Sequence, residues 1–502
     1  MLYKAGGLRA SPSLMALTEW QEKEKNALNC AVDEEGCLLD NLTLELRVHP
    51  PEIHIDNAGD PNYTIVTIDS ANRPGSLVFV VQHLTDLGLR IHNARISSDG
   101  GWFHDMFVVS EINGGKVRNQ VKLLSIKQML NIYMQTEDVV ANGDTTDDVD
   151  KVATTIFEVS GVDRPGLIAD LMQLMTQNGC DVRSAAVWTY RTRVAIVFSV
   201  TEKGRPIPDD AKTMRLKEMM GDILFNSQGT HSVHAENLKG IVHYDRRLHQ
   251  LMLQDDIEDW KVKHRVQKYT KDKELENPSE KSNFNTYRSP KYDKPFIDIS
   301  HFSHSNYWTV NIKCRDRTKL LLDTVCTLND MNYDIYHATI DAGSDGYSHQ
   351  EFFVRPRSGE GEFDEDEALL VKAMLEASIE RRFPKGIKVQ IRSMDRFGCM
   401  ATLTRQLFEA GLSITRAKVR TFATSNSSGH TLYIMNAVGG APSNESIERA
   451  LLECGGKAIQ EATHDGTPLV NSHPFSFKFL QRLPHPAYGG SPESYDAKYG
   501  SF

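Results

Sequence analysis

The stretch Gly161 to Thr189, GVDRPGLIADLMQLMTQNGCDVRSAAVWT, carries the reading from which the fold follows. Asp163-Arg164-Pro165-Gly166 opens a helix that runs to Asn178. Gly179 then sits where a helix C′ residue takes positive φ, and Asp181 to Thr189 continues as a strand. The same phrase recurs three times. Its other openings are Asn72-Arg73-Pro74-Gly75, Asp316-Arg317-Thr318-Lys319 and Asp395-Arg396-Phe397-Gly398. At identical offsets from them stand Gly88, Asn332 and Gly411, the counterparts of Gly179, and then Ala94, Ala338 and Ala417, the counterparts of Ala185. One supersecondary unit has been written four times, and such a chain is read unit by unit.

Around each opening the periodicities repeat. In the first copy Tyr63 to Asp69 is a β-branched strand, and Leu77, Val80, Val81, Leu84 and Leu87 mark one face of a helix. Arg90 to Ser98 and Trp102 to Ser110 are strands joined at Asp99-Gly100-Gly101, and a second helix spans Val117 to Met134. The order β-α-β-β-α is that of a ferredoxin-like unit. No closing strand is apparent behind the third copy's last helix, Asp364 to Arg381, so that unit is read as incomplete or as borrowing an edge.

Copies one and two lie close together along the chain, as do three and four, with the longest interval between the two groups. The reading is an α+β protein of four ferredoxin-like βαββαβ units in two tandem pairs, each pair made of sequence neighbours. Its divisions are an N-terminal extension (1–60), unit one (61–140), unit two (152–236), a helical and charged linker (237–306), unit three (307–383), unit four (386–460) and a tail (461–502). A helix is expected from Arg246 to Trp260. The Lys, Glu, Ser, Asn and Pro that dominate Lys261 to Pro295 suit a solvated linker, and the tail from Ala487 onward reads similarly.

The 502 residues carry a net charge of −10, spread along the chain, which argues against nucleic acid or an anionic membrane surface as partner. No run approaches the roughly 20 apolar residues of a membrane span. Seven cysteines form no C-x-x-C pair, as in a reduced, intracellular protein of the cytoplasm or nucleus. Met1 to Leu17, with Lys4, Arg9, several serines and no acid before Glu19, resembles an organellar transit segment, which keeps targeting open.

The repeated turn has the chemistry of a small-molecule site. An Asp or Asn before a helix can cap it, and Pro in the first turn sacrifices no needed N–H. The fourth-position glycine removes a Cβ where ligand or backbone must approach, and the helix N-terminus favours a carboxylate. An Asp or Asn oxygen nearby could accept from an ammonium, so the arrangement suits a free amino acid. The competing structural reading is that each loop only caps its helix.

The β-α-β-β-α order with the D/N-R-P-G loop resembles the ACT domain. The phrases YTIVTIDSANRPGSLVFVVQHLTDLGLRI, ISSDGGWFHDMFVV, YDRRLHQLM and SIERRFPKGIKVQIRSMDRFG, with the one quoted first, resemble the plant ACT-domain-repeat proteins over roughly Val48 to Gly455. The resemblance implies regulatory binding of amino acids between paired units, by Asn72, Pro74 and Gly75, by Asp163, Pro165 and Gly166, and by Asp395 and Gly398. The third loop, with Thr318 and Lys319 in place of Pro and Gly, is expected not to bind because the lysine would fill the ligand's space.

Catalytic parts are missing from the sequence. There is no Gly-Ser loop followed by D-x-D, no G-x-x-x-x-G-K-[ST], no H-E-x-x-H and no G-x-S-x-G. No catalysis, metal or cofactor is expected. His301/His304 and His243/His249 lack a third ligand nearby, and Cys180, Cys399, Trp102 and Trp188 read as packing residues. Arg73, Arg164, Arg317 and Arg396 occur in all four copies although an N-terminal arginine opposes the helix dipole, so an interface role is expected, each pairing with a carboxylate of the neighbouring unit. The two functional readings are an amino-acid sensor and a protein-interaction scaffold, the latter self-associating or holding other proteins through its sheets without a ligand.

Overall fold

A computed structural model describes residues 51–468, except 100, 140–152, 226–230, 239–241, 277–293, 303–306, 344, 358–364, 384, 423–426, 438–439, 441, 444–445, 448, 451–456, 462 and 465–466. The first 52 residues form a separate unit of which only Pro51 and Glu52 are described, so the possible transit segment lies outside the described residues, as does the tail beyond Pro468.

Unit one contains β1 (Glu52–Asp56), β2 (Thr64–Ala71), α1 (Ser76–Asp86), β3 (Leu89–Ser97), β4 (Trp102–Glu111) and α2 (Gln120–Val139). Unit two contains β5 (Thr154–Val162), α3 (Leu167–Gln177), β6 (Cys180–Tyr190), β7 (Arg193–Glu202), α4 (Asp210–Phe225) and β8 (Ser232–Leu238). After the long α5 (Tyr244–Glu276), unit three holds β9 (Phe296–Phe302), β10 (Tyr307–Arg315), α6 (Leu320–Asp330), β11 (Tyr333–Ala342), β12 (Tyr347–Pro356) and α7 (Glu365–Glu380). Unit four holds β13 (Ile387–Met394), α8 (Cys399–Glu409), β14 (Leu412–Phe422), β15 (Ser427–Asn436) and β16 (Lys457–Glu461). The helix expected after β15 lies mostly outside the described residues, which show helix at Ser446, Ile447, Arg449 and Ala450.

The four ferredoxin-like units do form two pairs, but sequence neighbours are not the partners. One eight-stranded sheet runs β1-β2-β4-β3-β11-β12-β10-β9 and joins unit one to unit three. The other runs β16-β13-β15-β14-β6-β7-β5-β8 and joins unit two to unit four. Each junction is an antiparallel pairing of equivalent strands, β3 with β11 and β14 with β6. The recurrent alanines lie in these junctions: Ala94 opposes Ile340 and Ala338 opposes Ile96, while Ala185 opposes Val419 and Ala417 opposes Val187. The two pairs therefore share one register. All four alanines are buried in cores that run through the junction without a break. A small side chain there lets the pair-forming helices, α1 with α6 and α3 with α8, settle against each other over the sheet.

The closing strand also differs from expectation. Units two and four close with β8 and β16, which follow their last helix. In units one and three the same edge is filled by β1 and β9, which precede the unit. Unit three is therefore complete. Its closing strand lies in the segment read as linker (237–306), where Ile297 and Ile299 alternate with Asp298 and Ser300, and β1 lies in the extension read as 1–60. The α5 helix also runs past Trp260 to Glu276, through part of the segment read as a solvated linker.

Strand β7 shows why α5 is needed. Its residues Arg193 to Thr201 are buried on both faces, whereas β4 and β15 alternate between buried and partly exposed positions. A continuous apolar run marks a strand covered on both sides. Leu248, Leu251 and Met252 of α5 supply the second cover, packing on Ile156, Ala186, Trp188, Ala195 and Val197.

Candidate functional site

Each repeated opening folds as a tight turn. The fourth residue is left-handed in every copy, with φ 89° at Gly75, 83° at Gly166, 65° at Lys319 and 73° at Gly398. The residue after it donates its N–H back to the arginine carbonyl: Ser76 to Arg73 at 3.0 Å, Leu167 to Arg164 at 3.2 Å, Leu320 to Arg317 at 3.4 Å and Cys399 to Arg396 at 3.0 Å. With Pro second and Gly third this is the chemistry of a type II turn. None of the four helices has a side-chain cap. Simple capping by the Asp or Asn is thereby corrected: the turn places the fourth residue at the cap and leaves the acid one strand-end away.

The first-position side chains have three different fates. Asn72 donates through Nδ2 to Ser98 Oγ at 2.8 Å. Asp316 accepts from Arg90 of unit one at 2.5 Å, and Asp395 accepts from Arg183 of unit two at 3.1 Å. Asp163 is half-buried, and its loss of solvent pushes the carboxyl up to about 6 against the pull of the Arg164 backbone amide and guanidinium. Because this folded pKa exceeds the unfolded one, the penalty is absent at low pH and grows as pH rises from about 4 through 6, reaching about 3 kcal/mol. Asp163→Asn should remove it. Urea unfolding at pH 4.5 and 7.5 should show a clearly larger stabilisation at the higher pH, and equal effects at both would refute the assignment.

The fourth residues all face the partner unit. A Cβ built on Gly398 would lie 3.0 Å from Thr176 Cγ2 of α3, and one on Gly166 would lie 3.0 Å from Phe408 Cε2 of α8. At the second copy the ring of Phe408 thus occupies the space before the glycine. Clefts open at the other three loops. One of about 110 Å³ lies between Asn72–Gly75 and Asn329, Tyr333, Asp334, Tyr336 and Arg357 of unit three. A gap of about 10 Å³, room for little more than one water, lies between Asp395, Arg396 and Gly398 and residues Thr176 and Asp181 of unit two. A third gap, about 20 Å³, lies where Asp316 and Lys319 meet Thr85 and His92 of unit one. Asn72, Pro74 and Gly75 are therefore brought together in the roomiest cleft, and Asp395 and Gly398 in a narrower one. Asp163, Pro165 and Gly166 meet an aromatic ring.

The lysine of the third loop lines its gap, and its ammonium reaches the start of α5. Lys319 Nζ is ion-paired with Asp245 at the start of α5. Asp245 also meets Arg382 at 3.3 Å, and Arg382 shares Asp323 with Arg317. Burial would raise the Asp245 carboxyl, but Arg382 and Lys319 overcome it and hold the group far below the usual carboxylate range. Arg382 and Arg416 stack on Trp188 at 4.5 and 4.7 Å, which ties the cluster to units two and four. Farther along α5, Asp255 meets Arg193 at 2.8 Å and Asp256 meets Arg381 at 3.3 Å. Copy three departs from the motif at the residue that docks onto α5.

The interface arginines are corrected in part. Arg164 pairs with Asp170 at 2.8 Å and Arg317 with Asp323 at 2.9 Å, each on its own helix. The corresponding residues in copies one and four are Phe79 and Thr402, which offer no carboxylate, and Arg73 and Arg396 line the clefts. Arg95 reaches Asp341 of the partner unit at 3.2 Å, and the arginines that reach a loop acid of the partner unit are Arg90 and Arg183. They occupy different positions before the recurrent alanine, so recurrence could not reveal them. A bulge could have been suspected only from structure: it falls at His92, Arg183, Tyr336 and Thr415, and at Arg183 it turns the side chain toward Asp395.

The remaining expected sites take ordinary roles. Trp188 and Cys180 are buried, and Cys399 is partly so. Trp102 donates to Asp69, and His301 stacks on Trp308. His243 pairs with Asp86, and His249 is buried beside Thr327. His304 lies outside the described residues. Among the described residues, no cluster of His, Cys, Asp or Glu could hold a metal, and no helix is long and apolar enough to cross a membrane.

Comparison with known proteins agrees with this architecture. A family model described as the ACR family N-terminal ACT domain matches residues 59–137. The ACT domain-containing protein ACR4 of Arabidopsis thaliana is 35% identical over 402 residues, covering 78% of this chain and 82% of its own length. ACR8 of the same plant is 34% identical over 418 residues, covering 82% and 86%. A short match, 35% over 81 residues, reaches the bifunctional uridylyltransferase/uridylyl-removing enzyme of Rhodospirillum rubrum, covering 16% of this chain and 9% of that enzyme.

Proposed function

The chain belongs to the ACR family of ACT-domain proteins, and from that premise we propose that it is a non-catalytic amino-acid sensor. ACT domains are regulatory modules that bind amino acids. The observation that carries the reading here is the cleft of about 110 Å³ in which the Asn72–Gly75 turn faces unit three. The first-turn amides of α1 suit a ligand carboxylate, and the Asn72 side-chain oxygen suits an ammonium. Asp395 and Gly398 face a gap of only about 10 Å³ and would bind only if the pair opened there, just as Asp163, Pro165 and Gly166 would bind only if Phe408 withdrew. Occupancy would stiffen the junction between β3 and β11 and so alter how the protein meets a partner protein or a second copy, with a coupling of about 1–3 kcal/mol.

Calorimetric titration of the full chain with the twenty amino acids tests the reading. One or a few saturable ligands are expected, and Gly75→Lys should abolish their binding. That variant should fold, because Lys319 already holds a lysine in the same left-handed turn at φ 65°. Flat titrations throughout would reject the sensor. They would favour the scaffold reading, which draws its support from Arg90 and Arg183, since these already neutralise Asp316 and Asp395.

A further inference from the structure

We infer that two facing residues select between the loops: Asn329 leaves room for an amino acid at Asn72–Gly75, and Phe408 shuts one out at Asp163–Gly166; this rests on the sensor reading. Both occupy one recurring position. Thr85, Thr176, Asn329 and Phe408 each stand ten places after the fourth residue of their own turn, next to last in α1, α3, α6 and α8. Each meets the turn of the partner unit. Asn329 lines the cleft at Gly75, Thr85 the gap at Lys319 and Thr176 the gap at Gly398, while the Phe408 ring stands against Gly166. The repeat thus carries a second part of its site, on the helix that faces the loop.

The loops are closed in two different ways. At loops three and four the facing residue is a small threonine whose hydroxyl is spent on its own helix, Thr85 donating to Val81 O at 2.6 Å and Thr176 to Met172 O at 3.1 Å. There the loop acids are taken instead by Arg90 and Arg183. Loops one and two lack that closure. At the places of Arg90 and Arg183, the units facing them carry Asp334 and Tyr336, and Ser413 and Thr415, none of them a cation. What separates these two loops is the facing residue. Asn329 donates through Nδ2 to Asp330 at 3.2 Å and accepts at Oδ1 from Arg357 at 3.3 Å, and a cleft of about 110 Å³ stays open before Gly75. The ring of Phe408 comes within 3.0 Å of where a Cβ on Gly166 would stand. The space before Gly166 therefore takes a group of side-chain size, and while the ring holds it no ligand carboxylate can reach the first-turn amides of α3.

Titration calorimetry on the full chain with the twenty amino acids tests the position in both directions. Asn329→Phe should weaken whatever binding the native chain shows by about tenfold or more. Asn329→Ala, which removes the same hydrogen bonds without adding a ring, should stay within about threefold of the native chain. Phe408→Asn should add one saturable equivalent per chain, and Gly166→Lys in the same chain should remove it again. Phe408 is 37% exposed, so its replacement should leave the fold intact, and the two Asn329 variants test the position without it. Native-like binding by Asn329→Phe, with binding still lost in Gly75→Lys, would overturn the role of the facing residue and leave the sensor standing. Unchanged stoichiometry in folded Phe408→Asn would overturn the exclusion at loop two. Failure of all twenty amino acids to bind would reject the sensor itself, and this inference with it.

Discussion

Replacing Asp323 with alanine is expected to cost the folded chain about 3–5 kcal/mol, because it leaves two buried guanidinium groups without their shared counter-charge. Asp323 is 2% exposed and meets Arg317 at 2.9 Å and Arg382 Nε at 3.0 Å. Burial alone would raise its carboxyl, but Arg382 and Arg317 outweigh that and hold it at about 2. The folded pKa thus lies below the unfolded one. The contribution is present above about pH 4 and is lost as pH falls through 2, which amounts to about 2 kcal/mol for this group alone. Truncation costs more than protonation because it also leaves space and unpaired donors. His249 sensitises the same region at milder acidity: burial and Arg381 push its pKa well below the usual value, so charging it below about pH 6.5 opposes folding. Urea unfolding at pH 7 should register the full loss for Asp323→Ala, and a change under about 1 kcal/mol would mean that the cluster is far wetter than its burial implies.

The second large effect is expected at a junction alanine. Ala417 is 4% exposed, opposes Val187 of unit two and Leu432 of its own unit, and lies in the core shared by the two units. Ala417→Glu forces a longer side chain and an unpaired carboxylate into that core, a combination expected to cost about 4 kcal/mol or more. Its neighbour Lys418 points to the opposite face of β14 and is exposed, so Lys418→Gln should stay within about 0.5 kcal/mol. The informative readout is hydrogen exchange. Because β14 pairs with β6, protection should fall in Ser184–Trp188 of unit two together with unit four. Loss confined to unit four would contradict the shared sheet.

Much of this architecture is legible in the residues. The recurrence of Asp-Arg-Pro-Gly, the glycine at the helix end and the buried alanine encode local geometry: a type II turn, a left-handed helix exit and a strand with no room for a larger side chain. Such features depend on neighbours within a few residues, so they can be read in order along the chain. Even the apolar run Val194–Phe198 of β7 fits a strand covered on both faces, although the cover, α5, begins 42 residues beyond the strand's end, from Glu202 to Tyr244.

The candidate site was less legible. Its loops are visible, but what faces each loop comes from another unit: Arg90 and Arg183 on two of the acids, Phe408 on one glycine, Arg357 beside the one neutral position. These partners share no recurring offset, and sequence distance misdirects the search. Lys319 looks only like a plug when its own loop is considered, whereas its ammonium is also the partner of Asp245 of α5.

By itself, then, the sequence determined four ferredoxin-like units, their turns, and the glycines and alanines those turns and strands require, because each is enforced by sterics and hydrogen bonds within one unit. Only the tertiary structure decided that unit one pairs with three and two with four, and which edge strand closes each unit. Exposed strand edges such as β3, β6, β11 and β14 present nearly the same backbone donors and acceptors to any of the others. The choice among them is made by side chains that meet only after the units are folded: the ion pairs Arg90–Asp316 and Arg183–Asp395 across the junctions, and α5 clamped between Lys319 and Trp188.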